Sequence, residues 1–300
     1  MKTFKEYLNI RYNIFENDFN SFEYKGISYT CGNDSYIKTT GNTKEEISYE
    51  DYKKAYERHN GSRTATVGYE VEKLVSNMFN SNDIDKNIQS VMGIDTEKSV
   101  SSHTVGGRNK SDIVVSYTNK EGREIETGVS IKFVKNPNRS GYNQIYRNPL
   151  SRFNNFFDNS IPDETLAILE KFLVKDSSGK KMKMTQFNEK DQKKVLNWLN
   201  ENKKKILNYV FAGDINYGTK EEIKPSCDYI LTVYGIDGKN KKIEKISDKI
   251  KTYDDIEWTI SPRGSLSLGD ITLQRKGGDG GRITANDLQF KIKIPKLKEE

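Results

Sequence analysis

Two short runs of β-branched and aromatic residues, Ile113 to Tyr117 and Val129 to Phe133, flank a polar connection that contains Gly122. Such runs pack on a pleated surface, and a polar link bearing glycine between them reads as a turn, so the segment predicts a hairpin. Along the second run side chains alternate faces, which puts Val129, Ile131 and Phe133 on one side and Ser130 and Lys132 on the other. Asp112 leads the first run, at the end of the sequence GGRNKSD that begins at Gly106. A carboxylate able to hold a divalent cation, beside a lysine able to orient a water or offset charge, is the minimal equipment of a metal-dependent phosphodiesterase. The same three residue types also occur on solvated hairpins that do no chemistry.

Several classes are excluded by what surrounds this stretch. No apolar run approaches the roughly 20 residues a membrane helix needs, and the start MKTFKEYLN has no apolar signal core, so a cytoplasmic protein with no membrane partner is expected. Cys31 and Cys227 stand far apart and His59 and His103 are the only histidines, which leaves no cysteine framework and no histidine-rich metal site. The net charge of +6 hints at an acidic partner, and its distribution says more. Lys132 to Arg152 holds five basic residues and no acid, with Tyr142 and Tyr146 among them, and Asp270 to Lys298 holds seven basic residues against three acids. Both clusters suit a polyphosphate backbone.

Along the chain, FKEYLNIRYNIF and SYEDYKKAYERH read as helices joined by a Gly- and Asn-rich connection. A better helix covers Arg63 to Asn80, where Val67, Val71, Leu74, Val75, Met78 and Phe79 make a stripe bordered by Glu70 and Glu72. Asn136 to Arg152 reads as a polar, basic and aromatic loop placed to meet phosphates or base edges. Helices follow over Pro162 to Val174 and Asn188 to Phe211, the second with Asn188 as its cap and Gly213 after its end, and Trp198 reads as packing. From Cys227 the pattern turns to strands. Ile271 and Leu273 alternate with Thr272 and Gln274, and Leu288, Phe290 and Ile292 with Gln289, Lys291 and Lys293, so their polar face carries groups suited to reading bases. GGDGGR between them lacks the G-K-[ST] of a phosphate-cradling loop, and no nucleotide cofactor is expected.

GGRNKSD, GVSIKF, the basic stretch after them, and WTIS with DLQFK near the C-terminus together resemble the MspI-like type II restriction endonucleases of the PD-(D/E)XK nuclease superfamily. The resemblance implies an α/β (α+β) fold, a central mixed β-sheet flanked by helices, with a C-terminal β-rich region that reads DNA. It implies one endonuclease domain over 1–300, with an N-terminal helical region at 1–62, a catalytic core at 63–152, a helical region at 153–226 and a DNA-recognition region at 227–300. Asp112 is then a Mg²⁺ ligand, Lys132 the water-orienting or charge-stabilising residue, and Glu72 a further acidic group. Ser130 stands where the superfamily carries Glu or Asp, and a hydroxyl acts there through a bound water more readily than as a direct ligand. The carbonyl of Ile131 completes the expected metal contacts.

By the same resemblance Thr259, Ser261, Gln289 and Lys291 contact base edges. Arg275, Lys276 and Arg282 join them on charge, and Lys135, Arg139 and Arg263 are further expected DNA contacts. The implied activity is hydrolysis of double-stranded DNA at a short specific site, leaving 5′-phosphate ends. A cognate DNA methyltransferase belongs to the same system without stable contact, and monomer and homodimer both stay open. A structure-selective repair or junction nuclease on the same core and a DNA-binding protein without catalysis are the competing readings.

Overall fold

The computed structural model describes residues 19, 21–32, 35–105, 110–174, 182–213, 227–235, 238–277 and 283–297. The chain divides into two compact units, Met1–Glu70 with Gly277–Ala285 and Val71–Lys276 with Asn286–Glu300.

In the first unit, β1 (Ser21–Tyr24), β2 (Ile27–Cys31), β3 (Tyr36–Thr40) and β4 (Thr43–Ile47) form an antiparallel sheet in chain order. Lys25 and Gly26 both take positive φ, 55° and 74°, as the tight turn between β1 and β2 requires. Ser48 then accepts a hydrogen bond from the Asp51 amide at 3.1 Å and starts α1 (Tyr49–Asn80). Tyr52 and Ala55 from the helix and Tyr29 from β2 are buried together. The connection expected between two N-terminal helices is therefore a sheet. Its strands are four or five residues long and largely exposed, and β4, TKEEI, has no buried residue, so little apolar alternation was there to be read. The helix expected over 4–15 lies outside the described residues, and the two helices expected at 48–59 and 63–80 are one element.

The second unit begins inside α1, where Val71, Val75 and Phe79 are buried one turn apart. After α2 (Lys86–Met92) come β5 (Ser101–Thr104), β6 (Ile113–Thr118), β7 (Glu124–Val134) and β8 (Gly141–Asn148). Helices α3 (Leu150–Phe156), α4 (Asp163–Leu173), α5 (Glu189–Glu201) and α6 (Lys203–Ala212) lead to β9 (Cys227–Tyr234), β10 (Asn240–Lys245) and α7 (Ile246–Lys251). The chain ends with β11 (Thr259–Ile260), β12 (Leu266–Leu268), β13 (Ile271–Arg275) and β14 (Leu288–Ile294). Two five-stranded sheets result, in the orders β10-β9-β7-β6-β5 and β11-β12-β13-β14-β8. Strand β7 pairs antiparallel with β6 and parallel with β9, so the first sheet is mixed, as expected. The hairpin is present with Ile113 opposite Val129.

Two expectations change here. Asn136 to Arg152 is not a loop: Gly141–Asn148 is a strand that pairs antiparallel with β14, and Leu150–Phe156 is a helix. The ladder to β14, more than 130 residues away in sequence, satisfies the backbone of a segment whose composition looks irregular. Asn188 to Phe211 is two helices, divided at Asn202, whose side chain donates to the Trp198 carbonyl at 2.9 Å. Asn188 caps α5 through the Asp191 amide, 2.9 Å away, and Gly213 closes α6 at φ 69°. Trp198 is buried, as expected, in a core with Val195, Phe153, Phe157 and the inward face of the second sheet, Leu273, Leu288 and Phe290. Among the described residues no helix is long and apolar enough to cross a membrane.

Candidate active site

The mixed sheet brings Asp112, Ser130 and Lys132 together at the head of the β6–β7 pair. Asp112 sits one residue before β6, and its amide donates to the Val129 carbonyl at 3.0 Å, which fixes it against the middle of β7. Its Oδ2 accepts from the Ile131 amide at 2.5 Å and from Ser130 Oγ at 3.0 Å, and stands 3.8 Å from Lys132 Nζ. Lys132 donates to Ser130 Oγ at 2.7 Å and to the Ile131 carbonyl at 3.2 Å. Ser130, buried on the polar face of β7, thus accepts from the lysine and donates to the carboxylate. All of these contacts with Asp112 fall on Oδ2.

Glu72 reaches the same neighbourhood from α1. Burial, and secondly the negative charge of Asp112, push its carboxyl up to about 7, against the opposing pull of Lys132. Glu72 and Asp112, with the Ile131 main-chain carbonyl, would offer an all-oxygen donor set of the kind that suits Mg²⁺, an ion that keeps several of its own waters. No group of three or more His, Cys, Asp or Glu able to hold a metal occurs among the described residues.

Lys110, which the sequence reading did not single out, lies two residues before Asp112. Its ammonium donates to the main-chain carbonyls of Ile145 in β8 and Val210 in α6. Burial, and then the charge of Lys132, push it down to about 7. Its stem passes so close to Gly213 that a Cβ there would stand 2.5 Å from the Lys110 Cβ. No sequence pattern marks this lysine, because its partners are backbone atoms of distant elements.

The strands of the second sheet hold four of the ten residues expected to contact DNA, Thr259, Arg275, Gln289 and Lys291. Its register sets Thr259 opposite Ser267, Ser267 opposite Thr272, Thr272 opposite Lys291 and Lys291 opposite Gln144, one polar row across all five strands. A second row runs from Gln274 through Gln289 to Arg147. The opposite face, with Leu266, Leu273 and Phe290, is core. Gln289 is buried and donates through Nε2 to Gln144 Oε1 at 2.7 Å. Burial, and then Lys276, push the Lys291 ammonium below its ordinary value.

Ser261 and Arg263 lie in the turn after β11, where Ser261 Oγ accepts from the Ser265 amide at 3.1 Å and Arg263 is exposed. Arg275 is tied to Asn286 Oδ1 by two hydrogen bonds of 3.0 and 2.9 Å, and Lys276 follows it at the end of β13. Lys135 and Arg139 are exposed in the connection between β7 and β8. Arg282 and Gly106 to Asn109 lie outside the described residues. Gln144 and Arg147 were missed because the segment that holds them reads as a loop; the tyrosines and isoleucine within it were the available strand signal.

The family model described as R.HinP1I restriction endonuclease matches residues 92–297, a span that contains Asp112, Lys132 and the whole second sheet and begins after Glu72. No curated protein matches the chain. Among solved structures, restriction endonuclease MspI, crystallised with its cognate DNA, matches with a TM-score of 0.52 at 13% identity, over 78% of this chain and 92% of its own. A match of that kind carries the fold, and it agrees with a mixed sheet flanked by helices.

Proposed function

Since the chain belongs to the R.HinP1I restriction endonuclease family, we propose that it cuts double-stranded DNA at a short specific sequence, with Mg²⁺ as its cofactor and 5′-phosphate ends as its products. The observation that carries this reading is the hydrogen-bonded line from Lys132 through Ser130, in the C-terminal half of β7, to Asp112 just before β6. Asp112, the Ile131 carbonyl and Glu72 would hold the ion. When bound, Mg²⁺ stabilises charge developing on the scissile phosphate and makes a coordinated water more acidic. Lys132 Nζ, held by Ser130, holds the attacking water and offsets negative charge in the transition state. The water oxygen bonds to phosphorus, the bond to the 3′ oxygen breaks, and the phosphate stays on the 5′ end.

The polar face of the second sheet and the turn after β11 supply the base contacts, with Thr259, Ser261 and Lys291 toward base edges; Gln289, expected among them, is buried and bonded to Gln144. Lys135, Arg139, Arg263, Arg275, Lys276 and Arg282 meet phosphates. A cognate DNA methyltransferase protects the host copy of the sequence, and the chain acts in the cytoplasm.

Digestion of phage DNA with and without Mg²⁺ tests the reading. Discrete bands that require the metal are expected. Asp112→Ala and Lys132→Ala are each expected to lower the cleavage rate by at least about 100-fold while specific DNA binding, measured by gel shift, is largely kept. Cutting retained by either variant removes that residue from the site. Preference for branched substrates would point to a junction nuclease, and binding without any cleavage to a DNA-binding protein.

A further inference from the structure

The Gln144–Gln289 pair has a geometry that a glutamine meant to read adenine does not have. A free glutamine amide offers one acceptor and one donor side by side, which match adenine N6 and N7. Here the Gln144 oxygen is already engaged, accepting from Gln289 Nε2 at 2.7 Å. Gln289 is only 5% exposed, whereas Gln144 is exposed. In a planar amide the oxygen and nitrogen point away from each other, so an oxygen turned to a buried partner turns the NH₂ group outward. What Gln144 then presents is a pair of N–H donors.

Two further observations set this pair apart from ordinary sheet packing. Gln289 Oε1 is buried without a hydrogen-bond partner, an arrangement that folded proteins rarely leave in place and that concentrates at functional sites. Gln144 also stands at the β-bulge of β8, where the register shifts between Phe290 and Lys291 and the residue after Gln144, Ile145, is skipped. Bulges re-aim side chains, and this one is held by the Lys110 ammonium on the Ile145 carbonyl. The residue so aimed lies in the same polar row as Lys291, Thr272 and Thr259.

We propose that Gln144 reads one guanine of the recognition sequence as a donor, through O6 and N7 in the major groove, and that Gln289 is the positioning residue that fixes the orientation of its amide. The inference rests on the endonuclease reading above and deepens it.

The test uses the full-length enzyme and duplex oligonucleotides carrying its cleavage sequence, with each guanine replaced in turn by 7-deazaguanine or 2-aminopurine. The wild type is expected to lose about 10- to 100-fold in kcat/KM at the guanine facing Gln144. Gln144→Ala is expected to lose a similar factor on the natural site and to be indifferent to the analogues at that one position. Gln144→Glu, which replaces donors by acceptors, should cut the natural site more slowly still. Gln289→Ala should blunt analogue sensitivity at the same guanine and at no other, a pattern that a merely structural role in the sheet would not produce.

Unchanged analogue sensitivity in Gln144→Ala at every guanine overturns this inference while leaving the endonuclease reading intact. So does a cleavage sequence without guanine, or one in which Gln144→Ala removes sensitivity only to 7-deazaadenine. A wild type that cuts no fixed sequence overturns both.

Discussion

At Ser130 a hydroxyl stands where the resemblance leads one to expect an acid, and its two hydrogen bonds define its contribution. It accepts from Lys132 at 2.7 Å and donates to Asp112 at 3.0 Å, so it sets the position of the lysine relative to the carboxylate without adding charge. On the proposed reading, with one acid fewer, the ion would depend on Asp112, the Ile131 carbonyl and Glu72. Ser130→Ala removes the link and keeps the ligands. We expect cleavage to fall by about 10- to 100-fold, in the range seen when groups that orient metal ligands are removed, with half-maximal activity shifted to higher Mg²⁺. A Mg²⁺ titration checks this, and an unchanged rate and midpoint would show that Ser130 only fills space. Asp112, Ser130 and Lys132 were legible in the sequence because period-two alternation decides which side chains of a strand share a face. Lys110 was not, since nothing in sequence tells a buried lysine bonded to remote carbonyls from a solvated one.

The elements hold these side chains through contacts that depend on backbone shape. Gly213 ends α6 with φ 69° and lies against the Lys110 stem, and Lys110 in turn ties the segment before Asp112 to β8 and α6. Gly213→Ala meets both a left-handed backbone and a Cβ 2.5 Å from Lys110. It is expected to cost about 1 to 3 kcal/mol, read as a lower midpoint in thermal unfolding. An unchanged midpoint would mean that the Lys110 stem moves aside without cost. The hairpin, α1, α4, and the strands β9, β13 and β14 follow from apolar periodicity, so the sequence expresses them directly. Strand β8 does not, because its stability comes from the ladder to β14 and its side chains are mostly polar. The N-terminal sheet escaped for the same reason: short strands with exposed residues carry their instructions in turn geometry at Gly26 and Gly41 more than in pattern.

Over the whole molecule, the second unit contains both the mixed sheet with the candidate catalytic residues and the sheet whose polar face is set by register. Strand β8 joins them, since it follows β7 directly in sequence and pairs with β14. The protein thus places the candidate catalytic residues and a polar sheet face on consecutive strands, an arrangement that suits the proposed sequence-dependent cutting. The net charge of +6 is modest, and its concentration after Lys132 and near the C-terminus is what favours a phosphate backbone as the partner. Sequencing the ends of phage DNA digested by the wild-type protein with Mg²⁺ tests this account most directly. It predicts that every end carries a 5′-phosphate and falls at a fixed position in one short sequence. Ends scattered over unrelated sequences, or confined to branched structures, would contradict it.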